Sequence, residues 1–189
     1  MKKLVFLHGS GSDENAYGEL MCLLASYFDA DLVRFNAPFE HPDKPHKYKW
    51  FNKLENTDRR DAVIEDYMYS LEYIKKRLKG LNESSENIIL VGHSQGGGMA
   101  VHIGLDMELA CVISINGDLP YNLSYNKLTR APIYWFESKK DTYIDTKRKE
   151  SYQLISNNNN FHLIMLENST HNDFQKDLLK IIHKGVIKF

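Results

Sequence analysis

An α/β architecture, a mostly parallel sheet with helices on both faces, is predicted by three features of this 189-residue sequence. Short apolar runs recur along the chain and alternate with longer segments whose apolar residues return at helical spacing, the pattern of successive strand-helix-strand units. One such run, 88–91, passes through Gly92-His93-Ser94-Gln95-Gly96 straight into another helical pattern, so strand, sharp turn and helix follow without a linker. No internal repeat, linker or segment large enough for a helical cap interrupts the alternation, so residues 1–189 read as one domain.

In chain order, residues 4–7 form a buried strand that ends in the turn His8-Gly9-Ser10-Gly11. Ser12 or Asp13 is placed to cap a helix with Ala16, Leu20, Leu23, Leu24 and Tyr27 on its apolar face. A second strand, 31–36, is closed by Ala37-Pro38, because the residue before proline is pushed out of the helical region. Periodicity then disappears over 39–57, where lysines interleave with Tyr48, Trp50 and Phe51. A loop of this length inside a domain reads as a substrate-facing lid, with a cover over a sheet edge whose lysines are solvated as the other reading. The longest helical pattern, 58–79, carries Ala62, Ile64, Tyr67, Met68, Leu71, Ile74 and Leu78, with Gly80 at its end. After the helix that follows Ser94 come strands at 111–115 and 133–136, a helix over 147–156, a turn at the asparagine run 157–160, a strand at 161–166 and a final helix through His183.

Composition excludes several classes of function. A formal net charge of -1 provides no whole-molecule field for nucleic acid. The run 4–7 is too short for a signal segment or a membrane span, so neither export nor integral membrane association is expected. Cys22 and Cys111 fall in apolar contexts and read as buried, reduced thiols, which suits a cytoplasmic location. The histidines show no metal-ligand spacing, so no metal site is expected.

The chemistry is read from the turn at Ser94. A backbone folded this tightly has no room for side chains at Gly92 and Gly96, and it lifts the Ser94 hydroxyl clear of the sheet. A serine alone is a weak nucleophile near neutral pH. It needs a histidine to take its proton and a carboxylate to orient that histidine, in the order Ser, Asp, His on loops after later strands. Asp141, just past the 133–136 strand, and His171, just past the 161–166 strand, meet both conditions. Asp145 is the runner-up acid, and His93, one residue before the nucleophile, is expected to point away and take no part. Two backbone N–H groups, of Gln95 and of Ser10 in the glycine turn, are the candidate oxyanion hole. Trp50 and Phe51 are candidates for the substrate pocket, with packing onto the core as the other reading.

Leu7-His8-Gly9-Ser10-Gly11-Ser12-Asp13-Glu14-Asn15, Asn36-Ala37-Pro38, Trp50-Phe51, Gly92-His93-Ser94-Gln95-Gly96-Gly97-Gly98-Met99-Ala100, and Pro132-Ile133 leading to Asp141 together resemble the phospholipase/carboxylesterase family of α/β-hydrolases. That family includes bacterial carboxylesterases and acyl-protein thioesterases. The resemblance spans nearly the whole chain. It implies an α/β-hydrolase fold without a cap domain and a cofactor-free serine hydrolase using Ser94, Asp141 and His171 on a small ester or thioester, with an acyl-protein thioesterase or lysophospholipase as an alternative. Three positions depart from the family pattern: Glu137-Ser138 stands for His-Gly, Ile144-Asp145 for Val-Pro, and Thr170 for the glycine before the histidine. Because the fold can also serve as a binding module, a non-catalytic ligand-binding role is the reading from another class.

Overall fold

Strand β1 (Lys2–Leu7) lies inside the sheet, with its side chains alternating between two cores. The computed structural model describes residues 1–55, 61–126, 130–142 and 150–188. From β1 the chain passes through helix α1 (Gly18–Tyr27) to β2 (Ala30–Arg34), which pairs parallel to β1 on one side. It then returns through α2 (Ile64–Lys79) to β5 (Ile88–His93), which pairs parallel to β1 on the other side. Helix α3 (Gln95–Asp106), β6 (Cys111–Ile115), β7 (Ile133–Ser138) and β8 (Phe161–Leu166) extend the sheet outward, and α4 (Gln175–Ile182) follows. The strand order is β2-β1-β5-β6-β7-β8, every pairing is parallel, and no separate cap domain is present among the described residues.

The strand order reverses between β1 and β5, and a crevice at the carboxyl ends of two such strands is where ligands bind in open α/β sheets. Leu4 and Phe6 face a core shared with Leu20, Met21 and Leu24 of α1 and Leu178 and Ile182 of α4. Val5 and Leu7 face the opposite core, shared with Leu71, Ile74 and Leu78 of α2 and Met99 and Ile103 of α3. Burying both faces explains why the central strands are continuous apolar runs rather than alternating ones.

Several local features differ from the sequence reading. Helix α1 begins at Gly18 after Tyr17, a left-handed residue without a side-chain cap, because Asp13 is used elsewhere: its carboxylate accepts the Asn15 N–H and pairs with Lys47. The buried face of α1 is Leu20, Met21, Leu24 and Ala25, leaving Leu23 and Tyr27 exposed; the Tyr27 hydroxyl donates to the Ile182 carbonyl. Cys22 sits on the same outer side and is exposed, whereas Cys111 is buried, and both are free thiols. Helix α2 starts at Ile64, and its core stripe is Tyr67, Ser70, Leu71, Ile74 and Leu78. Ser70 holds a core position because its hydroxyl donates to the Trp50 carbonyl, while Ile64 and Met68 face outward. Of the helix expected at 147–156, the described part is one short 3-10 turn, Ser151–Leu154.

The aperiodic stretch after Pro38 holds a small hairpin, β3 (Phe39–Glu40) against β4 (Tyr48–Lys49), which periodicity cannot reveal because each strand has two residues. It is tied to the turn after β1, since Gly11 N–H donates to the Tyr48 carbonyl and Tyr48 N–H to the Ser12 carbonyl, both at 2.8 Å.

Candidate active site

At the carboxyl end of β5 the backbone turns through Ser94 with φ 53° and ψ -120°, a conformation that costs a non-glycine residue on the order of 1–3 kcal/mol. The turn is held by Ser94 N–H donating to the Ile115 carbonyl and Gly98 N–H donating to the Ser94 carbonyl. The need for glycine on either side is steric. A Cβ on Gly92 would lie 2.2 Å from the Gly96 carbonyl oxygen, and one on Gly96 would lie 2.2 Å from that of Leu7. The elbow is thus wedged against β1, and Ser94 stands at the N-terminus of α3, where unpaired amides and the helix dipole favour developing negative charge.

Asp141 and His171 come together at the ends of β7 and β8. The His171 Nδ1–H donates to Asp141 Oδ2 at 2.7 Å, with Asp141 fully buried and His171 nearly so. His171, Ser94, Ser10 and Gln95 line one cleft of about 560 Å³. Among the described residues no hydrogen bond joins the Ser94 hydroxyl to His171, a contact that often closes only when substrate is bound. The N–H groups of Ser10 and Gln95 make no hydrogen bond to the described protein atoms, so both remain available to the cleft. Asp145 lies outside the described residues.

The turn bearing Ser10 is braced by His8. Its Nε2 accepts the Ala37 N–H at 3.0 Å while its Nδ1 lies 2.8 Å from the Gly9 carbonyl, a pair of bonds that fixes the neutral Nδ1–H form; burial lowers its pKa. Trp50 is wholly buried and does not line the cleft: its indole N–H donates to the His8 carbonyl at 2.7 Å. Phe51 does line the cleft. The Gln95 side chain joins these parts, its Oε1 accepting the Trp50 N–H and its Nε2 donating to the Phe51 carbonyl, each at 3.1 Å.

Two groups around His171 were not assigned from sequence. His93 does not point away: its ring centroid lies 4.9 Å from that of His171, it stacks on Phe174, and its Nε2 is 2.9 Å from the His171 carbonyl. Burial, and then the neighbouring His171, push its pKa down to about 3, so the ring is neutral and carries its proton on Nε2. Asn116, fully buried with φ 48°, donates from Nδ2 to the same carbonyl at 3.0 Å and accepts the Ser138 N–H on Oδ1 at 2.8 Å. One side chain therefore ties together the ends of β6, β7 and β8. Its signal in the sequence is only that it is an amide ending a buried strand. Among the described residues no group of histidine, cysteine or carboxylate side chains could hold a metal ion, and no helix is long and apolar enough to cross a membrane.

A parallel sheet with a strained serine between β5 and α3, and loops from β1, β7 and β8 meeting over it, defines the α/β-hydrolase class. The model of the family described as Phospholipase/Carboxylesterase matches residues 1–184; the chain belongs to that family, and at family level it is a serine hydrolase. Solved structures of similar fold include esterase PE8, at 21% identity and TM-score 0.72 over 97% of this chain and 92% of that one. The Bacillus cereus carboxylesterase is similar at 19% identity and TM-score 0.72, over 97% and 86% of the two chains. The Mesorhizobium loti carboxylesterase is similar at 14% identity and TM-score 0.75, over 99% and 89%. No curated protein matches the sequence.

Proposed function

We propose that the chain hydrolyses small carboxylic esters or thioesters through an acyl-enzyme on Ser94. The observation that carries this reading is the placement of a strained Ser94 in the same cleft as His171, whose other nitrogen is bonded to the buried Asp141. His171 Nε2 takes the hydroxyl proton as Ser94 Oγ attacks the carbonyl carbon. The carbonyl oxygen becomes an oxyanion held by the N–H groups of Ser10 and Gln95. The carbon–oxygen or carbon–sulfur bond breaks, and the leaving alkoxide or thiolate receives that proton from His171. Water, deprotonated by the same nitrogen, then attacks the acyl-enzyme and restores the Ser94 hydroxyl, so ester plus water gives acid plus alcohol or thiol. Asp141 holds the proton on Nδ1 throughout and stabilises the imidazolium.

The walls favour a small substrate. Among the described residues, Ala16, Tyr17, Pro42 and Phe51 are the apolar ones lining the cleft, set among polar and charged ones. Each buried methylene contributes about 0.8 kcal/mol, and these walls can cover only the first few. The test is labelling by a fluorophosphonate together with a p-nitrophenyl ester series of increasing chain length. Labelling that Ser94→Ala abolishes, with kcat/KM greatest on short chains and no activation at a micellar threshold, is the expected result. An unlabelled Ser94 would support a non-catalytic binding role instead, and a long-chain preference would refute the small-substrate reading.

A further inference from the structure

The chain as a whole is nearly neutral, with 24 basic and 25 acidic residues, but the cleft at Ser94 is not. Among the described residues, Lys44, Lys49 and Lys53 line it against one carboxylate, Asp43. The local excess is therefore not a reflection of composition. At two of these lysines it is also not absorbed by ion pairs. Lys47, on the same hairpin, is engaged by Asp13, whereas Lys44 and Lys49 form no ion pair among the described residues.

The two lysines stand at different places on the rim. The Lys44 side chain lies over the turn that carries Ser10: its Nζ is 2.8 Å, and its Cδ 3.1 Å, from where a Cβ on Gly11 would sit. Lys49 ends the return strand of the hairpin, one residue before the fully buried Trp50, so its backbone is fixed by the core. His41, also in the lining, has its pKa lowered by burial and then by the charges of Lys44 and Lys49, against an opposing contribution from Asp43. Both lysines share the cleft with Ser94, and among the described lining residues apolar side chains are few.

Resting on the hydrolase reading, we propose that the substrate is a small ester whose acyl or alcohol part carries an anionic group, a carboxylate or a phosphate, held by Lys44 and Lys49 beside the oxyanion turn. The lysines take no proton and form no bond; they select the ester and orient its carbonyl toward Ser94. With Lys44 exposed and Lys49 half-buried, each charge pair contributes up to about fivefold in kcat/KM, so the two together give a preference of about tenfold for a charged ester over a neutral one of equal length at low salt.

The experiment compares p-nitrophenyl hydrogen succinate with p-nitrophenyl butyrate for an anion on the acyl side, and O-acetylglycolate with ethyl acetate, followed by proton release, for the alcohol side. Inorganic phosphate and succinate, tested as competitive inhibitors of butyrate ester hydrolysis, distinguish the two kinds of anion. The charged-to-neutral ratio of kcat/KM is expected near ten in at least one pair. It should fall to within about twofold of unity in the double variant Lys44→Ala, Lys49→Ala, and at about 0.5 M salt, where charges are screened within a few ångströms. Lys76→Ala, on the outer face of α2, controls for net charge and should leave the ratio unchanged. Equal rates on both pairs, or a preference that survives the double variant, would overturn the proposal. Failure of the hydrolase reading has a separate signature, the absence of fluorophosphonate labelling at Ser94. In that event calorimetric binding of succinate or phosphate to Ser94→Ala, with and without the two lysines, still decides whether the cleft is an anion site.

Discussion

Replacing Asn116 by alanine tests whether the histidine loop is held by the buried amide that joins three strand ends. The substitution removes an acceptor from the Ser138 N–H, bonded at 2.8 Å in a fully buried setting, and an orphaned buried donor costs about 1–3 kcal/mol. It also removes a donor from the His171 carbonyl at 3.0 Å. That oxygen keeps the His93 Nε2–H, so the loss there is about 1 kcal/mol. Asn116 has φ 48°, where alanine is worse tolerated than asparagine by about 1 kcal/mol. These effects share one site and do not add strictly, but they place the destabilisation at about 3–4 kcal/mol. For a chain of this size that lowers Tm by about 6–15 °C. Loosening one of two tethers on the histidine should lower kcat about fivefold with little change in KM, since Asn116 does not line the cleft. Thermal unfolding followed by circular dichroism, with p-nitrophenyl acetate kinetics at a temperature where both proteins are folded, measures the two effects. A Tm within about 2 °C of wild type and an unchanged kcat would show that Asn116 holds nothing.

Ser94→Ala and Ser94→Gly should both lose essentially all turnover, yet the glycine variant should be the more stable by about 1 kcal/mol in urea unfolding, because only glycine relieves the positive φ; equal stabilities would mean that the elbow stores no strain. Asp141→Asn should lower kcat by about 10⁴ by releasing the His171 tautomer, while Asp145→Asn has a small effect, and the reverse order would reassign the acid. His93 is neutral in the folded state down to pH about 3 but titrates near pH 6.5 when unfolded, so the unfolded chain binds the extra proton between those values. Stability therefore falls as pH drops through that window, by up to about 1.4 kcal/mol per unit from this residue. His93→Phe, which keeps a ring against Phe174, should flatten the dependence; an unchanged slope in urea unfolding at pH 7, 5.5 and 4.5 would contradict the assignment.

The parts of this molecule that are legible in its sequence are those fixed by local sterics and by the order of elements. The glycines around Ser94 announce a close backbone approach, and a Cβ on Gly92 or Gly96 would indeed meet a backbone carbonyl oxygen at 2.2 Å. Strand ends mark where loops must converge, which locates Asp141 and His171 with no knowledge of distances. What is not legible depends on contacts between distant segments. Alternation along a strand sends His93 to the side opposite Ser94, but the rule lapses at the elbow, where the chain leaves the extended region and the imidazole reaches the His171 backbone. Asn116 resembles any polar residue ending a strand until β7 and β8 are set beside it. Trp50 is aromatic in an aperiodic loop, a pattern shared by pocket walls and buried anchors alike, and only the bond to His8 separates them. Helix α1 starts later than a cap at Ser12 or Asp13 predicts, because Asp13, a good capping residue, is drawn into an ion pair with Lys47 from the hairpin.

The double grip of Gln95 on the backbone of Trp50 and Phe51 has an evolutionary consequence. Because both bonds go to main-chain atoms, the base of the hairpin is fixed whatever side chains its tip carries. The tip, including His41, Pro42, Asp43 and Lys44, lines the cleft and makes no hydrogen bond to the elbow or to the Ser10 turn among the described residues. On the proposed esterase reading, tip residues that meet the substrate can thus be exchanged by single mutations at little risk to folding or to the serine chemistry. A lineage using this arrangement can explore new substrates one tip residue at a time.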